Sequence, residues 1–194
     1  MINRAIALCV IALCCVRPVY AACLPTGATL LVGDSIITPS WSEEQTPRKG
    51  VVPRLQRRMR NVWVEGYSIP GCNTTEGCWR GAVDLCRTRY VVALGSNDYS
   101  AGVALDVFAT RYAAALDAMH GNEWLGTTLR AEVVAVSPIA RHNGRGAALE
   151  EYRTIIGAVC AVRSWCRYVD GGTLLADDPE NFLNRGYPLG CFYK

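Results

Sequence analysis

Histidine is almost missing from this chain: there are two in 194 residues, His120 and His142. Cysteine is not scarce, yet no two cysteines stand in a C-x-x-C pair. A zinc or related metal site draws on imidazoles or closely spaced thiolates, so no metal is expected, and no cofactor motif stands in its place. Charge of one sign is thin as well. The formal net charge is +3, and the one local basic cluster is Arg54, Arg57, Arg58 and Arg60. A nucleic-acid surface needs a denser basic stripe with a reading motif, so the cluster reads as a solvated helix face and nucleic acid is not an expected partner. The apolar run Ala5–Val16 is too short to span a bilayer, so no membrane span is expected. Internal repeats, low-complexity linkers and a second domain are absent from the pattern.

What is present begins with a leader. Arg4 precedes the apolar run, and small residues follow in "RPVYAAC". This layout fits a secretory signal with cleavage after Ala21, giving residues 1–21 as signal peptide and 22–194 as a single domain, secreted or periplasmic. Cys23 offers an alternative, a lipid anchor, although Tyr20 stands where a Leu-like residue is usual in that motif. Seven cysteines lie beyond the leader: Cys23, Cys72, Cys78, Cys86, Cys160, Cys166 and Cys191. In an oxidising compartment they should largely pair, and an odd number leaves one free, lipidated or intermolecular. Six cysteines allow fifteen connectivities, and spacing does not choose among them. Just over half the chain is apolar, enough for a real core, and a monomer is expected.

Strand-like and helix-like segments alternate. Strands are predicted over Ala28–Gly33, Asn61–Gly66, Tyr90–Gly95, Ala131–Ser137 and Cys166–Asp170. Helices are predicted over Val51–Arg60, around Trp79–Arg87, over 102–119 and over Ala147–Val162; the last two keep an apolar face at 3.6-residue spacing. Alternation of this kind implies parallel pairing with crossover helices. The expected fold is α/β: a three-layer α/β/α sandwich of about five parallel strands. Sites in such sheets lie outside the carboxyl ends of the strands, where the strand order reverses.

Polar residues follow three successive strands. The first ends in Gly33-Asp34-Ser35, the second leads to Gly71 after Pro70, and the third ends in Gly95-Ser96-Asn97-Asp98. A serine at a sharp strand exit exposes its hydroxyl, a glycine admits close approach of backbone to substrate, and an asparagine donates N–H without a charge to desolvate. These residues resemble the SGNH hydrolases, also called GDSL esterases/lipases, over nearly the whole chain beyond the leader. The resemblance implies a flavodoxin-like fold and hydrolysis of acyl or acetyl esters carried by a lipid, a glycan or a small molecule. Ser35 then matches the nucleophile, Gly71 the backbone oxyanion donor and Asn97 the side-chain oxyanion donor.

One part of the family pattern is missing. Its Asp-x-x-His motif near the C-terminus would fall on Asn184-Arg185-Gly186-Tyr187-Pro188, which contains neither residue. His142, in the loop after the fourth strand, is a surrogate base by position. His120, at the end of the long helix, reads as an exposed or capping residue. Asp98 and the pair Asp177-Asp178 are weak bases for a serine hydroxyl. Two functions are therefore expected to compete: a serine ester hydrolase with a divergent base, and an impaired relative that binds acylated glycans or lipids.

Overall fold

The computed structural model describes residues 28–34, 51–58, 62–124, 126–138 and 146–171. The central element is β1 (Thr29–Gly33), whose five residues are all buried. It pairs in parallel with β2 (Val64–Ser68) on one side and β3 (Arg89–Ala93) on the other. Beyond β3 come β6 (Glu132–Val136) and β7 (Cys166–Val169), both parallel, giving the order β2-β1-β3-β6-β7. The order reverses at β1 and β3, as in the flavodoxin-like doubly wound sheet. The predicted α/β fold with five parallel strands is the observed one. A two-residue hairpin, β4 (Glu123–Trp124) with β5 (Thr127–Thr128), stands apart and was not anticipated from sequence.

Side-chain parity sorts the layers. Leu30, Val32, Tyr90, Val92, Val133 and Ala135 point to one face and form the main core. There they meet α2 (Glu76–Val83), α4 (Leu105–His120) and α5 (Gly146–Ala161) through Trp79, Ala82, Phe108, Tyr112, Leu116, Tyr152 and Ile156. Leu31, Val64, Val91 and Ala93 point to the other face and meet Val52 and Leu55 of α1 (Val51–Arg58). The period of two along each strand against 3.6 along each helix makes this sorting possible. The helices that follow β1 and β2 thus lie on opposite faces, which is how the walk reverses direction with crossovers of one hand.

Several boundaries differ from the sequence pattern. β2 starts at Val64, not Asn61: Trp63 is 64% exposed, outside the core although its carbonyl accepts the Thr29 N–H. The second helix runs over Glu76–Val83, not Trp79–Arg87, and Cys86 beyond it sits at φ +51°, incompatible with continuing a right-handed helix. β3 runs over Arg89–Ala93, not Tyr90–Gly95, with Tyr90 and Val92 buried on the main core face and Val91 and Ala93 half-buried on the other. A short helix, α3 (Ser96–Ser100), follows β3, ahead of the helix predicted from residue 102. Of the basic cluster, Arg57 and Arg58 are exposed, as a solvated face requires.

Tyr112 is fully buried beside Phe108, and its hydroxyl has no hydrogen-bond partner among the described residues. Burial pushes this phenol well above its ordinary pKa, with Tyr168 and Asp98 adding to the effect. A buried hydroxyl without a partner costs about 1–3 kcal/mol. Tyr112→Phe is therefore expected to keep or raise the urea midpoint, by up to about 1 kcal/mol in unfolding free energy. A clear loss of stability would show that the hydroxyl has a partner after all.

Candidate active site

The carboxyl ends of β1, β2 and β3 are brought level by their register. Gly33 lies opposite Ser68 on one side and Ala93 on the other. Three polar turns therefore leave the sheet side by side. The β1 turn begins with Asp34, which is 2% exposed. Ser35, the predicted nucleophile, lies outside the described residues.

The turn after β2 is built from Ile69-Pro70-Gly71-Cys72. Its N–H to carbonyl bond runs from Cys72 to Ile69 at 3.1 Å, and Gly71 has φ +77°. Proline at the second position and a glycine at positive φ in the third are the residues a type II turn demands. The Gly71 N–H takes no part in that bond, and Gly71 is exposed. Ile69 N–H also reaches Gly33 carbonyl at 3.3 Å, which ties the turn to β1.

The turn after β3 carries Asn97 in the first turn of α3. Gly95 before it has φ +122°, and a Cβ there would press on the Phe108 ring and Pro138, each at 3.3 Å. Only glycine fits both the backbone angle and the space. The half-buried Asn97 donates from Nδ2 to the Cys72 carbonyl at 2.7 Å, with a longer 3.4 Å contact to Asp34 Oδ2. Asn97, Asp34 and the Gly71-Cys72 turn are thus one connected group.

The loop that continues from Cys72 is closed on itself. Cys72 and Cys78 form a disulfide, and the Asn73 side chain accepts the Thr75 N–H at 2.9 Å in an Asx turn. A second short disulfide, Cys160–Cys166, fastens the end of α5 to β7. Cys86 is buried with its thiol toward the Asp84 and Glu123 carbonyls. Cys23 and Cys191 lie outside the described residues.

The candidate bases separate. His120 lies half-buried at the opposite end of the sheet, where Nδ1 bonds the Ala131 carbonyl at 2.8 Å just ahead of β6. Its ring stacks on Trp165 at 4.0 Å. A five-residue strand puts it about 16 Å from the carboxyl ends. His120 is therefore neither exposed nor at the site; it belongs to the packing between α4 and the 162–165 turn. Asp98 is fully buried with its oxygens on Thr74, so it offers no face to a substrate. His142, Asp177, Asp178 and the 184–188 stretch lie outside the described residues. At the end of β7, Asp170 is held by Arg153 (Nη2 at 2.6 and 2.8 Å) and by Ser137 Oγ at 3.0 Å. This cluster locks β6 to β7 and was not foreseen, since its members are remote in sequence.

Among the described residues no group of His, Cys, Asp or Glu could hold a metal ion, and no helix is long and apolar enough to cross a membrane. Comparison with known proteins points in one direction. The model of the GDSL-like lipase/acylhydrolase family matches residues 31–189. No curated protein matches the chain. Among solved structures, AlinE4, described as an SGNH-hydrolase family esterase, is 16% identical over 79% of this chain and 81% of its own, with a TM-score of 0.63. The psychrotrophic esterase EstA from Pseudoalteromonas sp. is 15% identical over 75% of this chain and 77% of its own, with a TM-score of 0.60. TesA is 24% identical over 70% and 73%, with a TM-score of 0.57. These likenesses carry the fold.

Joining Cys72 to Cys78 closes a short loop, which by chain entropy stabilises the folded state by about 2–3 kcal/mol. The double variant Cys72→Ser/Cys78→Ser is expected to lose that amount in chemical denaturation. An unchanged midpoint would mean that the bridge constrains nothing in the unfolded chain.

Proposed function

The chain belongs to the GDSL-like lipase/acylhydrolase family, a family of carboxylic ester hydrolases, and on that premise we propose that it is a secreted or periplasmic serine hydrolase of acyl or acetyl esters. The ester is carried by a lipid, a glycan or a small alcohol. Ser35 Oγ attacks the ester carbonyl and gives up its proton to a base. The carbonyl oxygen becomes an oxyanion, which takes hydrogen bonds from the Gly71 N–H and Asn97 Nδ2. Collapse expels the alcohol, which recovers the proton, and water then removes the acyl group from Ser35 in the same manner.

One observation carries this reading: Asn97 Nδ2 bonds the carbonyl of Cys72, the residue next to Gly71, at 2.7 Å. The two donors are therefore neighbours at the strand ends. The first Asn97 N–H is held by that carbonyl. The second makes only the long 3.4 Å contact with Asp34 and is the one left to bond the oxyanion. Preformed donors of this kind lower the barrier because they need no reorganisation when charge develops. For the base, His142 is the candidate, from the loop that follows β6. Secretion is supported by the leader-like segment 1–21 and by the two disulfides.

The absence of Asp-x-x-His from residues 184–188 favours a second reading, an impaired hydrolase that binds acylated glycans or lipids. Hydrolysis of a short-chain nitrophenyl ester by the chain without its leader separates the two. Ser35→Ala is expected to lower turnover by about 10⁶. Asn97→Ala should lower kcat by about 10²–10³. His142→Ala should approach the loss seen with Ser35→Ala if His142 is the base. No hydrolysis by any form, together with no labelling of Ser35 by a serine-directed phosphonate, sinks the enzyme reading. Saturable binding of an acylated glycan by that inert chain would establish the second.

A further inference from the structure

Asp98 is a carboxylate with no exposed surface. Among the described residues it forms no ion pair, whereas buried carboxylates are ordinarily paired with a cation. Among the described residues, all its side-chain bonds go to one residue. Thr74 gives its N–H to both oxygens, at 3.1 Å each, and its hydroxyl to Oδ1 at 2.6 Å. Thr74 is 1% exposed, and its carbonyl accepts the Trp79 Nε1–H at 3.1 Å. Every polar group of Thr74 is thus fixed by the core.

The placement in sequence gives this a consequence. Asp98 follows Asn97 directly, and Thr74 follows Cys72 by two positions. The pair Asn97-Asp98 therefore grips the loop at two points: Asn97 on the Cys72 carbonyl, Asp98 on Thr74. Two grips fix orientation as well as distance, whereas one would leave the loop a hinge. The disulfide shortens the loop but joins Cys72 to Cys78 within it, so it does not tie the loop to β3. Asp98 does. A buried charge is a poor way to gain stability compared with an apolar residue of similar size. It is a good way to fix the direction of N–H groups, since a carboxylate only accepts and charge-assisted bonds are short and strong.

We propose that Asp98 is the positioning residue of the oxyanion loop, holding Thr74 so that the Gly71 N–H and Asn97 Nδ2 aim at one point. The inference rests on the reading of Gly71 and Asn97 as oxyanion donors. Asp98 touches no reacting atom; it acts through Thr74 and Cys72.

The test uses the chain without its leader and the variants Asp98→Asn, Thr74→Val and Thr74→Ser. Two quantities are read: nitrophenyl ester kinetics, and hydrogen exchange of the amides from Gly71 to Thr75 against those of β3 and β6. Asp98→Asn turns an amide donor toward the Thr74 N–H, and Thr74→Val removes the hydroxyl at nearly constant shape. Both are expected to speed exchange in the loop by about tenfold or more while β3 and β6 keep their protection. Both should lower kcat, by about tenfold for Thr74→Val and about a hundredfold for Asp98→Asn, with KM within about twofold. Thr74→Ser restores the hydroxyl and should recover kcat. Loop exchange equal to that of the unaltered chain overturns the proposal, as does an unchanged kcat in a folded variant. Should Asp98→Asn fail to fold, Thr74→Val decides on the same measures. If the unaltered chain hydrolyses nothing, the ester-hydrolase reading falls by itself. Loop exchange then still decides: acceleration confined to 71–75 upholds the grip, and its absence overturns it.

Discussion

The structure depends on the register of β1 between its two neighbours. Residue for residue, Thr29 to Gly33 pair with Val64 to Ser68 and with Arg89 to Ala93, so three strands end at one level. A shift of one residue in either ladder would exchange the two faces of a strand. Leu30 and Val32 would leave the main core and Leu31 would leave the face of α1. Because both faces of β1 are packed, the register is fixed by burial, and the positions of Asp34, Gly71 and Asn97 follow from it. The site inherits its geometry from the core.

The two ends of the sheet use polar residues differently. At the amino end their bonds serve packing, although Thr29 Oγ1 and Asn122 Oδ1 stay buried without a partner among the described residues. Arg87 is paired with Glu65 at 2.6 Å, Asn122 caps the Met119 and Arg87 carbonyls, and His120 lies flat on Trp165. At the carboxyl end the bonds run between loops. Asn97 reaches Cys72, Asp98 reaches Thr74, and Ile69 reaches Gly33. Bonds between loops contribute modestly to stability, on the order of 1 kcal/mol each, but they fix relative position. Position is what a site for a developing charge requires.

The parts of this arrangement legible in the sequence are those with local chemistry. Gly33-Asp34 and Gly95-Ser96-Asn97 could be placed at strand ends because apolar runs stop there, and Pro70-Gly71 announces its own turn. Boundaries went astray where burial overrides pattern. Asn61-Val62-Trp63 looks like strand, but Trp63 faces water. The second helix starts at Glu76, after Thr75 at its N-cap, ahead of Trp79, the first residue it buries. The disulfides and the Asp98–Thr74 contact join residues that no spacing rule connects. Thr74 reads from sequence only as a loop residue, and its burial follows from Trp79 and Asp98, which tertiary packing brings to it.

The missing Asp-x-x-His motif is consistent with this division of labour. On the proposed reading the oxyanion donors belong to the turns after β2 and β3, while the base would come from a different part of the chain, His142 being the candidate. The Asp170–Ser137–Arg153 cluster lies at β6 and β7, and the Asn97 cluster at β1 to β3. On that reading, loss or replacement of the base would spare the bonds from Asn97 to Cys72 and from Thr74 to Asp98. The energetics set the stakes. A serine–histidine pair is worth about 10⁶ in turnover, and an oxyanion hole with substrate binding alone still gives about 10³–10⁴ over water. A chain that kept only the second would bind esters and turn them over slowly, whereas a histidine such as His142 acting as base would restore the larger factor.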